Sequence, residues 1–152
     1  MMAKSFPVLF GGILFLFFAC NHAKVTAQNE NSFDVLYQSE YGGNGVEETQ
    51  LIDDQSELAS FWSQTVFEYG ENIPKIDFTQ NTVIVQHFPS RNSGGSYYRV
   101  DSVSYEGNLI RVNYTVNEPS GMVTTAITNP LIVLKVKKIE NPKIEFINSN
   151  QN

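Results

Sequence analysis

The sequence predicts an α+β domain, a mainly antiparallel β-sheet with one amphipathic helix packed on it, and three observations carry that expectation. Val83–Phe88, Tyr97–Tyr105, Leu109–Asn117, Leu131–Lys137 and Lys143–Ile147 are rich in β-branched and aromatic residues and are separated by turn signals. Leu109–Asn117 alternates cleanly, with Ile110, Val112, Tyr114 and Val116 on one face and Arg111, Asn113 and Thr115 on the other, as in a strand covered on one side. Only one segment, around Leu58, Phe61 and Trp62, has convincing helical spacing.

Taken in order, Phe33, Val35 and Tyr37 alternate with Asp34, Leu36 and Gln38 in a weak strand pattern, and the Gly42-Gly43-Asn44-Gly45 run that follows is a loop. Val46–Ile52 is a second strand. Asp54-Gln55-Ser56-Glu57 opens the helix, with Asp54 as its cap and Glu57 at the reciprocal capping-box position. Leu58, Phe61, Trp62 and Thr65 or Val66 form its apolar stripe, and Tyr69-Gly70 marks its end. Trp62 on that stripe is the side chain that buries the helix. Glu106-Gly107-Asn108 is a tight hairpin turn.

Residues 1–19 stand apart from this domain. After Lys4, an uncharged apolar run from Phe6 to Ala19 stops at Cys20, the only cysteine of the chain. The run is too short for a hydrocarbon core that takes roughly 20 residues to span, so it reads as a removable signal. Phe17-Phe18-Ala19-Cys20 resembles the lipobox of bacterial lipoproteins, with Phe17 where leucine is usual. On that reading Cys20 is lipidated, residues 20–32 are a polar tether, and residues 33–148 are the domain. The alternative is cleavage after Val25-Thr26-Ala27, which leaves a soluble secreted or periplasmic protein starting at Gln28. No acidic cluster follows Cys20, so a lipid anchor would face the periplasm.

The formal charge of −6 is uneven. From Asn21 to His87 two lysines face eleven acids, and from Phe88 onward seven basic residues face five acids. That balance argues against nucleic acid as a partner. With no cysteine beyond Cys20 the domain holds no internal disulfide, so its stability comes from a packed core.

Ile76-Asp77-Phe78 before Asn81-Thr82-Val83-Ile84-Val85, then Ser93-Gly94-Gly95-Ser96-Tyr97, Glu118-Pro119-Ser120-Gly121 and Thr128-Asn129-Pro130 before Leu131–Val136 resemble the C-terminal domain of the PrcB-like family. The resemblance covers roughly Gly45 to Ile147. It implies an exported domain of the kind named for a lipoprotein subunit that stabilises a surface protease complex. Members of that family usually read Gly-Gly-Tyr where this chain inserts Ser96. The shift leaves open which of Tyr97 and Tyr98 faces outward.

Catalytic constellations are scarce. His22 falls in the tether, and His87, in an apolar strand, reads as a satisfied histidine rather than a base; no Gly-x-Ser-x-Gly elbow accompanies it. Zinc would want several His or Cys ligands. Asp53, Asp54 and Glu57 lack the spaced loop of a calcium site, and Asp77 is a single carboxylate without an evident partner. The expectation is no catalytic residue, no metal and no cofactor. Asp101-Ser102-Val103 resembles a short O-glycosylation acceptor, making Ser102 a candidate; Asn113-Tyr114-Thr115 carries less weight.

Arg91, Ser93, Gly94, Gly95, Tyr97 and Tyr98 are the partner-binding candidates. Two glycines allow close backbone approach, and Tyr and Arg are enriched at interface hot spots. Asn117–Thr125 is a second loop of similar composition that would complete a binding edge if both gather at one end of the sheet. The expected function is a non-catalytic, lipid-anchored domain that binds an exported protease or another envelope component and stabilises or restrains it. A soluble protease inhibitor is the first alternative, and an envelope hydrolase or small-ligand receptor the second.

Overall fold

In the computed structural model, which describes residues 32–66, 72–121 and 124–151, the apolar segments pair into two sheets. Along the chain lie β1 (Asp34–Ser39), β2 (Glu48–Ile52), α1 (Gln55–Thr65), β3 (Asn81–His87), β4 (Tyr97–Glu106), β5 (Leu109–Asn117), β6 (Leu131–Lys137) and β7 (Lys143–Asn148), with a short 3-10 turn at Ser149–Gln151. The larger sheet, β1-β6-β3-β2, is antiparallel throughout. The smaller, β4-β5-β7, pairs β4 antiparallel and β7 parallel with β5. The fold is α+β, and it has three layers: the helix, the larger sheet, the smaller sheet.

Those layers correct the single one-sided sheet expected from sequence. On β3 and β6, Ile84, Ile132, Leu134 and Val136 meet Val103, Ile110 and Val112 of the smaller sheet. Val83, Val85, Leu131 and Val133 point the other way, against Leu58, Trp62 and Val66. Strands covered on both faces favour apolar residues on both, which is why Val83–Val85 and Leu131–Leu134 run continuous rather than alternating. Each fully buried aliphatic side chain contributes about 1.5–3 kcal/mol. The parallel pairing of β7 is possible because the chain leaves β5, passes through β6 in the other sheet and then returns, which supplies the long crossover that parallel neighbours require.

Asp54 caps α1, accepting from the backbone N–H groups of Ser56 and Glu57 at 2.8 Å each. Its carboxyl is held below the ordinary range, chiefly by the Ser56 hydroxyl. Glu57 accepts from Gln50 Nε2 at 3.4 Å, not from the cap. Trp62 is buried edge-on to Tyr37, with ring centroids 5.9 Å apart. The helix ends at Thr65, capped by Val66, and the Tyr69-Gly70 stop lies outside the described residues. So do the signal, Cys20 and the tether.

Two bulges decide which side chains face inward. In β1 the register slips at Leu36, so Val35 pairs with Leu134 while Tyr37 pairs with Val133 on the opposite face, breaking the alternation read from sequence. In β4 it slips at Asp101. Below the slip Val103 opposes Val112, and above it Val100 opposes Tyr114 and Tyr98 opposes Val116.

The registers also define two ends of the molecule. Ser39, Glu48 and His87 meet Leu131 or one another at one end, and Tyr97 meets Asn117 there. Asp34, Ile52, Asn81 and Lys137 lie toward the other, near Tyr105, whose hydroxyl accepts the Lys137 N–H at 3.0 Å. β1 therefore carries the chain from the second end to the first.

Candidate functional site

Three loop regions gather at the Ser39 end: residues 40–47, 88–96 and, in the third, 118–121 and 124–130. The Gly43 N–H donates to Asn129 O at 2.9 Å, the Ser90 N–H donates to Gly45 O at 3.0 Å, and Phe88 N–H donates to Pro130 O at 3.0 Å. Arg91 and Thr128 exchange two backbone hydrogen bonds at 2.9 Å each. The bonds from Gly94 N–H to Thr124 O and from Arg91 to Glu118 bring the two Gly/Ser-rich loops together at this end, with the Gly42–Gly45 loop beside them.

The candidate residues divide between bracing and exposure. Arg91 Nη2 bonds both carboxylate oxygens of Glu118 at 2.6 Å, and Ser96 donates to the same carboxylate at 3.0 Å. Burial opposes the charge on Arg91, but the neighbouring Tyr98 hydroxyl and Glu118 more than compensate and raise its pKa. The half-buried Arg91 guanidinium therefore braces the two loops to each other through Glu118. Gly94 donates its N–H to Thr124 O at 3.2 Å, and an added Cβ there would lie 2.8 Å from Thr124 Oγ1. Gly95 adopts φ +91° beside Pro119. These glycines permit close approach of the adjoining loop, at Thr124 and Pro119. The Ser93 carbonyl accepts from Thr128 Oγ1 at 3.4 Å.

Tyr97 and Tyr98 separate as strand alternation requires. Tyr97 is 56% exposed, and Tyr98 is 6% exposed, its ring 4.4 Å from that of Phe88. Among the described residues the exposed large apolar side chains are Val35, Tyr41, Val46, Ile73, Tyr97 and Ile127. Tyr41, Val46, Tyr97 and Ile127 all belong to the three loops or their strand junctions at this end. Val35, Gln38, Ser39 and Glu40 line a groove with Ser96, Tyr97 and Tyr98. Sequence reading missed Glu118 as the central brace, although it opens one of the motifs quoted above, and missed the contribution of β1 altogether.

Groups weighed for chemistry have structural partners. His87 is buried, and its Nδ1 accepts the Asn44 N–H at 3.2 Å. Burial pushes its pKa below 6.5, against the pull of Glu48. A neutral folded histidine that charges in the unfolded chain adds stability above pH about 6.5, and that stability is lost as pH falls through the lowered folded value. The melting midpoint is expected to drop between pH 7 and 5.5, and His87→Gln to flatten the profile in that window; an unchanged profile would refute the role assigned to this contact.

Asp77 accepts from the N–H and hydroxyl of Thr79 at 3.0 and 2.6 Å, which lowers its pKa and shapes the turn into β3. Asp53 accepts from Thr82 Oγ1 at 2.8 Å and pairs with Lys138 at 3.2 Å, so Asp53, Asp54 and Glu57 turn to three different partners. Among the described residues no three His, Cys, Asp or Glu side chains group as a metal site, and no helix is long and apolar enough to cross a membrane. Ser102 is half-buried in mid-strand, its hydroxyl accepting from Asn113 Nδ2 at 3.0 Å.

Comparison of the chain with protein-family models, curated proteins and solved structures found no match.

Proposed function

We propose that this is a non-catalytic partner-binding domain of the PrcB-like type, exported, lipid-anchored through Cys20, and directed at an envelope protease or another envelope complex that it stabilises or restrains. The observation that carries the reading is the concentration of exposed apolar side chains, Tyr41, Val46, Tyr97 and Ile127, on loops that are hydrogen-bonded to one another. Contiguous apolar exposure marks interaction surfaces, and a braced loop surface loses little entropy on binding. The resemblance adds support, because the Gly94-Gly95, Glu118 and Thr128-Asn129-Pro130 motifs that carry it converge on this surface.

Purification of the full chain from native membranes after mild crosslinking is expected to recover the partner. Tyr97→Ala or Ile127→Asp should weaken that complex by about thirtyfold, equivalent to ~2 kcal/mol, with the melting midpoint nearly unchanged. Recovery undiminished by both substitutions would place the interface elsewhere. If the partner is a protease, its lifetime should lengthen in the complex; loss of its activity would instead favour the inhibitor. Cys20→Ala should abolish fatty-acid labelling and detergent partitioning in cells, whereas a mature chain beginning at Gln28 would refute the anchor.

A further inference from the structure

The two sheets differ by one strand, and the difference falls at a defined place. β1 is an edge of the larger sheet and β4 an edge of the smaller. Val35 pairs with Leu134 and Gln38 with Ile132, so both point toward the smaller sheet, as those partners do. Leu134 is 0% exposed, whereas Val35, its neighbour on the same face, is 45% exposed. The smaller sheet stops at β4 and leaves the inner face of β1 only partly covered. The space left is a groove of about 350 Å³ with Val35, Tyr97 and Tyr98 as its apolar lining and Glu40 as its one carboxylate. Among the described residues Glu40 has no ion pair.

We propose that an extended, cationic segment of the partner protein adds to the free edge of β4 and lies beneath β1, supplying the fourth strand that the smaller sheet lacks. The proposal rests on the partner-binding reading above and specifies how the partner is held. The edge of β4 offers main-chain donors and acceptors that have no neighbouring strand, which gives affinity without regard to sequence. Specificity comes from alternate side chains: one apolar residue on the inner face against Val35 and Tyr98, and a lysine or arginine at Glu40. The bulge at Asp101 interrupts the regular ladder, so Tyr97–Val100 is the pairing stretch.

The test uses the full chain in native membranes with Val35→p-benzoylphenylalanine, and the crosslinked segment is mapped and synthesised. The expected result is a basic, extended segment of another protein whose synthetic peptide slows amide exchange at Tyr97–Val100. N-methylation of its alternate amides should weaken it by at least about tenfold, and Glu40→Gln by about fivefold with loss of salt dependence. A crosslink to a second copy of this chain, a crosslink to residues 21–32 of the same chain, or unchanged exchange in β4 each overturns strand addition. Loss of the partner on Ile127→Asp with no such crosslink at residue 35 refutes this inference alone and leaves partner binding standing. Retention of the partner by Ile127→Asp and Tyr97→Ala refutes the reading beneath it.

Discussion

Tyr98→Ala is expected to destabilise the domain by about 3–5 kcal/mol, lowering the melting midpoint by roughly 10–20 °C. The tyrosine ring lies 4.4 Å from Phe88 and 6.1 Å from Tyr114, and Phe88 and Tyr114 are themselves 5.2 Å apart, so one deletion removes a wall from each of two other rings. The surrounding strands cannot collapse into the gap. Phe88 stands at the junction of β3 with the braced loops, and Tyr114 opposes Val100 in the hairpin register. Tyr97→Ala, one residue away, should shift the midpoint by less than about 2 °C, because its side chain makes its contacts outside the core. Thermal denaturation of the pair reads the difference directly. Equal shifts would mean that the facing of β4 is wrong.

Gly43→Ala is the second substitution of large effect, with an expected cost of about 2–3 kcal/mol. An added Cβ would stand 2.7 Å from the carbonyl oxygens of both Asn129 and Pro130. Both obstacles are backbone, so no side chain can rotate aside. The Gly42–Gly45 loop must instead lift from the entry to β6, breaking the bond from Gly43 N–H to Asn129 O and disturbing the neighbouring bond from Asn44 N–H to His87. Chemical denaturation should show the loss, and the variant should bind the proposed partner more weakly than its residual folded fraction accounts for. Wild-type binding by the folded fraction would show that this loop does not shape the surface.

How much of this was legible before the structure depended on how many faces of a segment meet solvent. β5 faces solvent on one side, so its alternation declared both its existence and its orientation. β3 and β6 are covered twice, so their runs declared strands but carried no sign of a second sheet. Direction was equally silent, since nothing in Lys143–Ile147 distinguishes a parallel neighbour from an antiparallel one. The pairing of Tyr98 rather than Tyr97 with the core turned on one bulge. Continued without a slip, the register from Glu106 and Leu109 would have set Asp101 against Tyr114 and Arg99 against Val116, driving two charges inward. That cost was a readable signal: an ion pair of 2.8 Å between Arg99 and Asp101 on the outer face is what the bulge preserves. The candidate site was visible as loop composition, but the bracing of Arg91 by Glu118 joins residues 27 positions apart and has no local signature.

The direction of β1 sets the point where an N-terminal anchor would join the domain apart from the apolar loops. The chain enters at Asp34, beside Lys135, and reaches the loops only after Ser39, so the proposed anchor ahead of Phe33 would join the domain roughly 20 Å of strand away from the apolar loops. A lipid at Cys20 would then join the domain, through its tether, at the end opposite Tyr41, Val46, Tyr97 and Ile127, leaving those side chains free to face the aqueous compartment. A large complex could be met there head-on, without pressing its own bulk against the bilayer.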